Sequence, residues 1–255
     1  MTGFENEMEI CKCLNCKRVN QTNMLFILML QDLYGEELKL DSVIKCKIDY
    51  NHKKYDIVVS IDGIEKRISI KKGYKNSVHM EGISSFINFL IENGISKESI
   101  VEYLKYHYSD GTTNGTGKKR ISSKVYKETN QKSIDRINKE LNNSKLLLKA
   151  VERFILSGNI SDVSIDALLY GTKDDFIWIK KEDIKKLILS KKDVYSTAVH
   201  FGPLTIQPFD RCLNFNPKYE RRRFCVQIKW YNIFDDIIEY KNNELMVKCG
   251  YKNSM

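Results

Sequence analysis

One dipeptide constrains this chain more than any other feature. Asp62-Gly63 separates an apolar run, Ile57-Val58-Val59-Ser60-Ile61, from a mixed one that ends in alternation, Ile64-Glu65-Lys66-Arg67-Ile68-Ser69-Ile70. The two-residue hairpin loop that best suits strand twist needs positive φ at both central residues, which Asp-Gly and Asn-Gly tolerate. Read as such a turn, the pair sets Ile61 against Ile64, and every other partnership follows by counting outward. Asp56 then falls opposite Ser69. Side chains alternate across a strand, so Asp56, Val58 and Ser60 share a face with Arg67, Ser69 and Lys71, with Lys71 diagonal to Asp56. Ile57, Val59, Ile61, Ile68 and Ile70 take the other face, which must be the core.

Around this hairpin the periodicities predict an α/β chain. Helix is expected from about Phe4 to Leu33, broken near Arg18 to Asn23. Strands are expected at Val43 to Ile48, Tyr55 to Ile61 and Lys66 to Lys71. Ser77 can cap a helix from about Val78 to Glu92, with Ile83, Phe86, Ile87 and Leu90 on its apolar face. A further helix, Lys97 to Tyr108, leads to a Gly-rich loop, Asp110 to Gly117. Helices at Ser123 to Asn142 and Lys145 to Leu156 follow, then a strand at Phe176 to Ile179 and a helix at Glu182 to Leu189. The C-terminal part is strand-rich, with Ala198 to Phe209 and Arg223 to Tyr231. Only three prolines occur, all between Pro203 and Pro217, and there is no repeat or low-complexity linker. Residues 1–255 therefore read as a single α/β domain, with a core over about 4–108 and a helical insert and strand-rich recognition region over about 109–255.

Composition narrows the chemistry. The net charge of +9 suits a polyanionic partner, because Lys and Arg release counterions when they meet phosphates. No apolar run approaches bilayer length, and the acidic N-terminus lacks the pattern of a secretory leader. Seven cysteines, an odd number, argue against a disulfide framework. A cytoplasmic protein with no membrane partner is expected. Cys11, Cys13 and Cys16 form a C-x-C-x-x-C cluster that could hold zinc, but a fourth ligand is not evident, and they read first as reduced thiols on or near a helix.

An acid and a lysine on one face of a hairpin suit phosphodiester hydrolysis. A carboxylate can hold a divalent cation against the scissile phosphate, where it polarises the phosphoryl group and activates water. A nearby lysine orients that water and offsets developing charge. One carboxylate holds Mg²⁺ poorly, and Glu81, in the first turn of the expected helix, offers a second. The plainer readings are that Glu81 offsets the helix macrodipole and that Asp56 and Lys71 form a surface ion pair.

The order helix, three-stranded meander, helix, with Asp56 followed by Ser69-Ile70-Lys71, resembles the PD-(D/E)xK superfamily of restriction endonuclease-like nucleases over about Phe4 to Asn93. The resemblance implies a restriction endonuclease-like core, with Asp56 as the metal-binding aspartate and Lys71 as the catalytic lysine. Mg²⁺ or Mn²⁺ would be held at Asp56, Glu81 and Ile70, with Ser69 supporting the site. Tyr55 stands where the motif has proline, and Ser69 where it has Asp or Glu. Some restriction enzymes of the superfamily carry serine there and move the acid onto the following helix, which Glu81 would match. Glu7 matches an acid that often joins the site. A competing assignment, Val226-Gln227-Ile228-Lys229 with Asp210 upstream, resembles the Gln-x-Lys variant but lacks a hairpin of known register. The implied function is a Mg²⁺-dependent DNA endonuclease like a type II restriction enzyme, acting on double-stranded DNA, with a twofold homodimer favoured by palindromic sites. A catalytically silent nucleic-acid-binding protein, or a repair or RNA nuclease on the same scaffold, is the alternative.

The remaining basic segments read as nucleic-acid contacts. Lys118, Lys119 and Arg120 close the Gly-rich loop, which fails the P-loop pattern because Thr112 and Lys119 occupy two of its required positions. Such a loop can approach a phosphate backbone with amides and side chains; a merely flexible loop is the plain alternative. Gln207, Arg221, Arg222, Arg223 and Lys229 include the residue types that read base edges, or they form a solvated basic face.

Overall fold

A computed structural model of the chain describes residues 2–51, 53–74, 76–117, 119–158, 163–208 and 222–248. The chain divides into two compact units. One comprises Met1–Asn76, Val151–Leu187 and Asn232–Met255, and the other Ser77–Ala150 and Ile188–Tyr231. No helix among the described residues is long and apolar enough to cross a membrane.

In the first unit, Thr2 caps α1 (Gly3–Leu14). Its hydroxyl accepts from the Glu5 amide, and the Glu5 carboxylate accepts from the Thr2 amide. A 3₁₀ turn, Val19–Gln21, fills the expected break, and Asn23 caps α2 (Met24–Tyr34) by accepting from the Phe26 amide. The meander follows as β1 (Ile44–Ile48), β2 (Ile57–Ile61) and β3 (Ile64–Lys71). Asp62 and Gly63 have φ of 49° and 87°, as the two-residue turn demands. Ile61 faces Ile64 and Ile57 faces Ile68, which is the expected register. Ile57, Val59, Ile61, Ile68 and Ile70 are buried in one core with Ile10 and Leu14 of α1 and Phe26, Met29 and Leu30 of α2. Removing each such side chain from water stabilises the unit by ~1.5–3 kcal/mol.

The sheet extends further than the sequence reading expected. β5 (Ala167–Gly171) joins parallel to β3, with Ser69 opposite Leu168 and Lys71 opposite Tyr170. β6 (Phe176–Lys180) closes the order β1-β2-β3-β5-β6. Ala167, Leu168 and Leu169 are all buried, so β5 has no polar alternation by which periodicity could find it. α7 (Lys181–Ser190) leaves β6 directly. α8 (Ile233–Lys248) returns to the sheet, placing the Lys241 ammonium 4.1 Å from the Trp178 ring centroid.

The second unit holds a four-stranded sheet in the order β4-β9-β8-β7, made of β4 (Asn76–Gly82), β7 (His200–Phe201), β8 (Leu204–Pro208) and β9 (Cys225–Trp230). Its helices are α3 (Ile83–Glu92), α4 (Lys97–Tyr108), α5 (Ser123–Leu141) and α6 (Ser144–Val151). Two expectations are corrected here. The helix expected from Val78 begins only at Ile83, because residues 76–82 are taken up as a strand beside β9. The strand expected from Ala198 to Phe209 is folded back at Gly202-Pro203, where Phe201 meets Leu204. The rings of Phe86 and Tyr103, 5.1 Å apart, and of Phe86 and Phe201, 6.3 Å apart, fill this unit's core.

Candidate active site

The hairpin register gathers Asp56, Ser69 and Lys71. Asp56 is held as a continuation of β2: its amide donates to Ile68 O at 2.9 Å, and its carbonyl accepts from the Asp49 amide at 2.9 Å. Its Oδ2 accepts three donors: the Ser69 hydroxyl at 3.1 Å, the Ile70 amide, and the Lys71 ammonium at 3.3 Å. The same ammonium donates to Ile70 O at 2.9 Å. Asp56 Oδ1 accepts no hydrogen bond among the described residues. Asp56 and Lys71 side chains are 21% and 22% exposed, so the pair is accessible but not awash. Tyr55, in the position of the motif's proline, is buried, with Lys53 Nζ 5.6 Å and the Arg67 guanidinium 5.9 Å from its ring centroid.

A second carboxylate belongs to this neighbourhood, and it is Glu7. It lies half-buried on α1. Burial raises its pKa above the usual carboxylate range, the negative charge of Asp56 raises it further, and Lys71 opposes both. Glu7 therefore senses both hairpin residues electrostatically.

Glu81 is placed differently from the expectation. It stands on β4 in the second unit, not in the first turn of a helix. Its side chain is buried, Oε2 accepting from the Ser85 hydroxyl at 2.8 Å and lying 3.6 Å from His79 Nε2. Among the described residues, no group of three or more His, Cys, Asp or Glu side chains converges to hold a metal.

The basic segments divide into spent and exposed cations. Lys118 and Arg221 lie outside the described residues. Arg120 and Arg223, expected to meet phosphates, are buried and brace the Gly-rich loop. Arg120 donates to Tyr108 O at 2.6 Å and to His107 O at 2.8 Å. Arg223 donates to Asp110 Oδ2 at 3.2 Å and to the Gly115 carbonyl. A guanidinium carries five donors in a fixed fork, which suits it to collecting loop carbonyls and a buried acid. His107 Nε2 bonds the Arg223 carbonyl at 2.8 Å. Burial pushes this imidazole down to about 4, the hydrogen bond opposes that shift, and the charge of Arg120 adds to it.

Lys119 and Arg222 are exposed, and Lys229 is half-buried with its ammonium 5.9 Å from the Tyr231 ring centroid. Gln207 is buried and donates to Gln227 Oε1 at 3.1 Å, its partner across β8 and β9. The competing Gln227-Ile228-Lys229 strand thus uses its glutamine in a cross-strand pair, and Asp210 lies outside the described residues. Two further cations were missed from sequence. Lys45 and Lys47 pair across from Ser60 and Val58, on the Asp56 face of the sheet. Both are exposed, with no acidic partner among the described residues. The alternation Ile44-Lys45-Cys46-Lys47-Ile48 carried the signal.

The first unit has the α/β arrangement that the resemblance implied, a helix and an antiparallel meander with the acid leading its second strand and Ser-Ile-Lys ending its third. Among solved structures, the chain is similar to restriction endonuclease MspI in complex with its cognate DNA, at 15% identity, over 80% of this chain and 77% of that one, with a TM-score of 0.49. No protein-family model and no curated protein matches the sequence.

Proposed function

We propose that this chain is a nuclease that hydrolyses DNA with a divalent cation, Mg²⁺ or Mn²⁺, at the Asp56 face of the hairpin. One observation carries the reading: the Lys71 ammonium bridges Asp56 Oδ2 and Ile70 O. Two oxygens there already attract a positive charge, and Asp56 Oδ1 remains available beside them. Asp56, the Ile70 carbonyl and Glu7 would supply the all-oxygen donors that a hard cation takes. A bound cation supplies polarisation of the phosphoryl group and a lowered pKa for water. The protein's own residues do the rest. Ser69 holds the Asp56 carboxylate in orientation. Lys71 would offset charge developing on the phosphate. Lys45 and Lys47, on the Asp56 face, would contact the backbone, and in the second unit Lys119, Arg222 and Lys229 are the candidate phosphate contacts.

Glu7 is the preferred second acid because it shares a unit with Asp56 and responds to its charge. Glu81 stands as the alternative. Plasmid, linear duplex and RNA substrates incubated with Mg²⁺ or Mn²⁺ test the reading. Asp56→Asn and Lys71→Ala should abolish cleavage while DNA binding in EDTA persists. Glu7→Gln should do the same and Glu81→Gln should not; the reverse result would restore Glu81. A second reading, a binding protein without catalysis, is favoured by the neutral side chain at Ser69. It prevails if the unaltered protein binds DNA in EDTA and cleaves nothing under any metal.

A further inference from the structure

Three exposed aromatic side chains of the first unit lie within three residues of a site residue or of its strand partner. Tyr74, 93% exposed, is three residues past Lys71. Tyr50, 70% exposed, follows Asp49, whose amide bonds the Asp56 carbonyl. Phe4, 47% exposed, precedes Glu7 by three residues on α1, and its ring lies 6.3 Å from that of Tyr50. Tyr74 is not carried on loose chain. Lys71 pairs with Tyr170 of β5, and the Tyr170 hydroxyl donates to Gly73 O at 2.6 Å, tying the backbone before Tyr74 to the sheet.

A single exposed apolar residue is ordinary. Three exposed aromatics close in the chain to Glu7, Asp56 and Lys71, together with Lys45, Lys47 and Lys71 on the Asp56 face of the sheet, combine two features that unpaired nucleic acid recognises. Its backbone follows positive charge, and its bases stack on aromatic faces. A fully stacked duplex presents no base faces along its length. We propose that Phe4, Tyr50 and Tyr74 form a stacking rim, so that this site takes a strand with unpaired bases, single-stranded or locally opened. This rests on the nucleic-acid reading of the Asp56 face and adds the state of the substrate.

The test is binding in EDTA, where no cleavage is needed. Fluorescein-labelled oligo(dT) and a blunt duplex are titrated at fixed salt with the unaltered protein, Tyr74→Ala, Tyr74→Trp and Phe4→Ala/Tyr50→Ala. Thermal melting verifies that each is folded. Tyr74→Ala and the double variant should each weaken oligo(dT) binding by about tenfold. The salt slope should not change, since no cation is removed. Tyr74→Trp should keep the affinity, and its added indole should be quenched by oligo(dT). Duplex binding should weaken less than oligo(dT) binding. Unchanged oligo(dT) affinity in both alanine variants, or equal losses on single strand and duplex, would overturn the rim. Cleavage fails separately: a protein whose oligo(dT) binding depends on Tyr74 but which never cuts DNA keeps the rim and loses the nuclease reading.

Discussion

Glu7 sits where a negative charge is disfavoured. Burial and the neighbouring Asp56 both favour its protonated form. Its folded pKa lies above the unfolded value near 4.5, so its contribution to stability is full below that value and is lost as pH rises through the folded pKa. Glu7→Gln removes the penalty. At pH 7 in EDTA the variant should melt no lower than the unaltered protein, and higher by up to about 4 °C. The gap should close near pH 4. Saturating Mg²⁺ should invert the order, raising the melting temperature of the unaltered protein and leaving the variant in place. Melting curves across pH with and without Mg²⁺ check all three outcomes; a variant stabilised by Mg²⁺ as strongly as the parent would remove Glu7 from the cation's shell.

The loop between α4 and α5 is held as an element by two buried arginines. Arg223 pairs with Asp110, whose side chain is fully buried, so removing the guanidinium strands a buried charge. Arg223→Ala should cost about 3–5 kcal/mol, measured as a lower urea midpoint. Arg223→Lys should recover only part of this, lacking the fork. The adjacent Arg222 is exposed, so Arg222→Ala should leave stability within about 0.5 kcal/mol. If it meets phosphate, that change lowers the salt slope of binding by ~0.9. Nothing in a run of arginines says which one turns inward. The same limit applied to β4: Val78 to Gly82 carries no local mark that separates a strand from a first helical turn, and pairing beside β9 decided it.

Across the whole molecule, the +9 charge and the buried His107 both bear on acid stability. His107 is neutral in the fold, with its pKa depressed from 6.5 to about 4. The unfolded chain takes up this proton first, so stability present above pH 6.5 is lost as pH falls toward 4. The loss is about 3 kcal/mol for this one group. Urea midpoints measured between pH 7 and 4 should fall accordingly, and His107→Gln should flatten that part of the profile. An unchanged profile in the variant would assign the acid lability to carboxylates. Neither unit is one continuous stretch: the first draws on three segments and the second on two. A reading that moves along the chain has no local signal for such an exchange.

Two residues, Asp62 and Gly63, made the register readable, and alternation then placed Asp56, Ser69 and Lys71 on one face and five apolar side chains on the other. These are short-range matters, decided by backbone sterics and by which side of a pleat a residue occupies. Contacts across the chain decided the rest. β5 reaches β3 from about a hundred residues away, Arg223 turns in toward a buried acid, Glu81 is drawn into a strand, and Glu7 feels Asp56 through the fold. Strand pairing and charge burial depend on which surfaces meet, and that energy belongs to no single window of sequence.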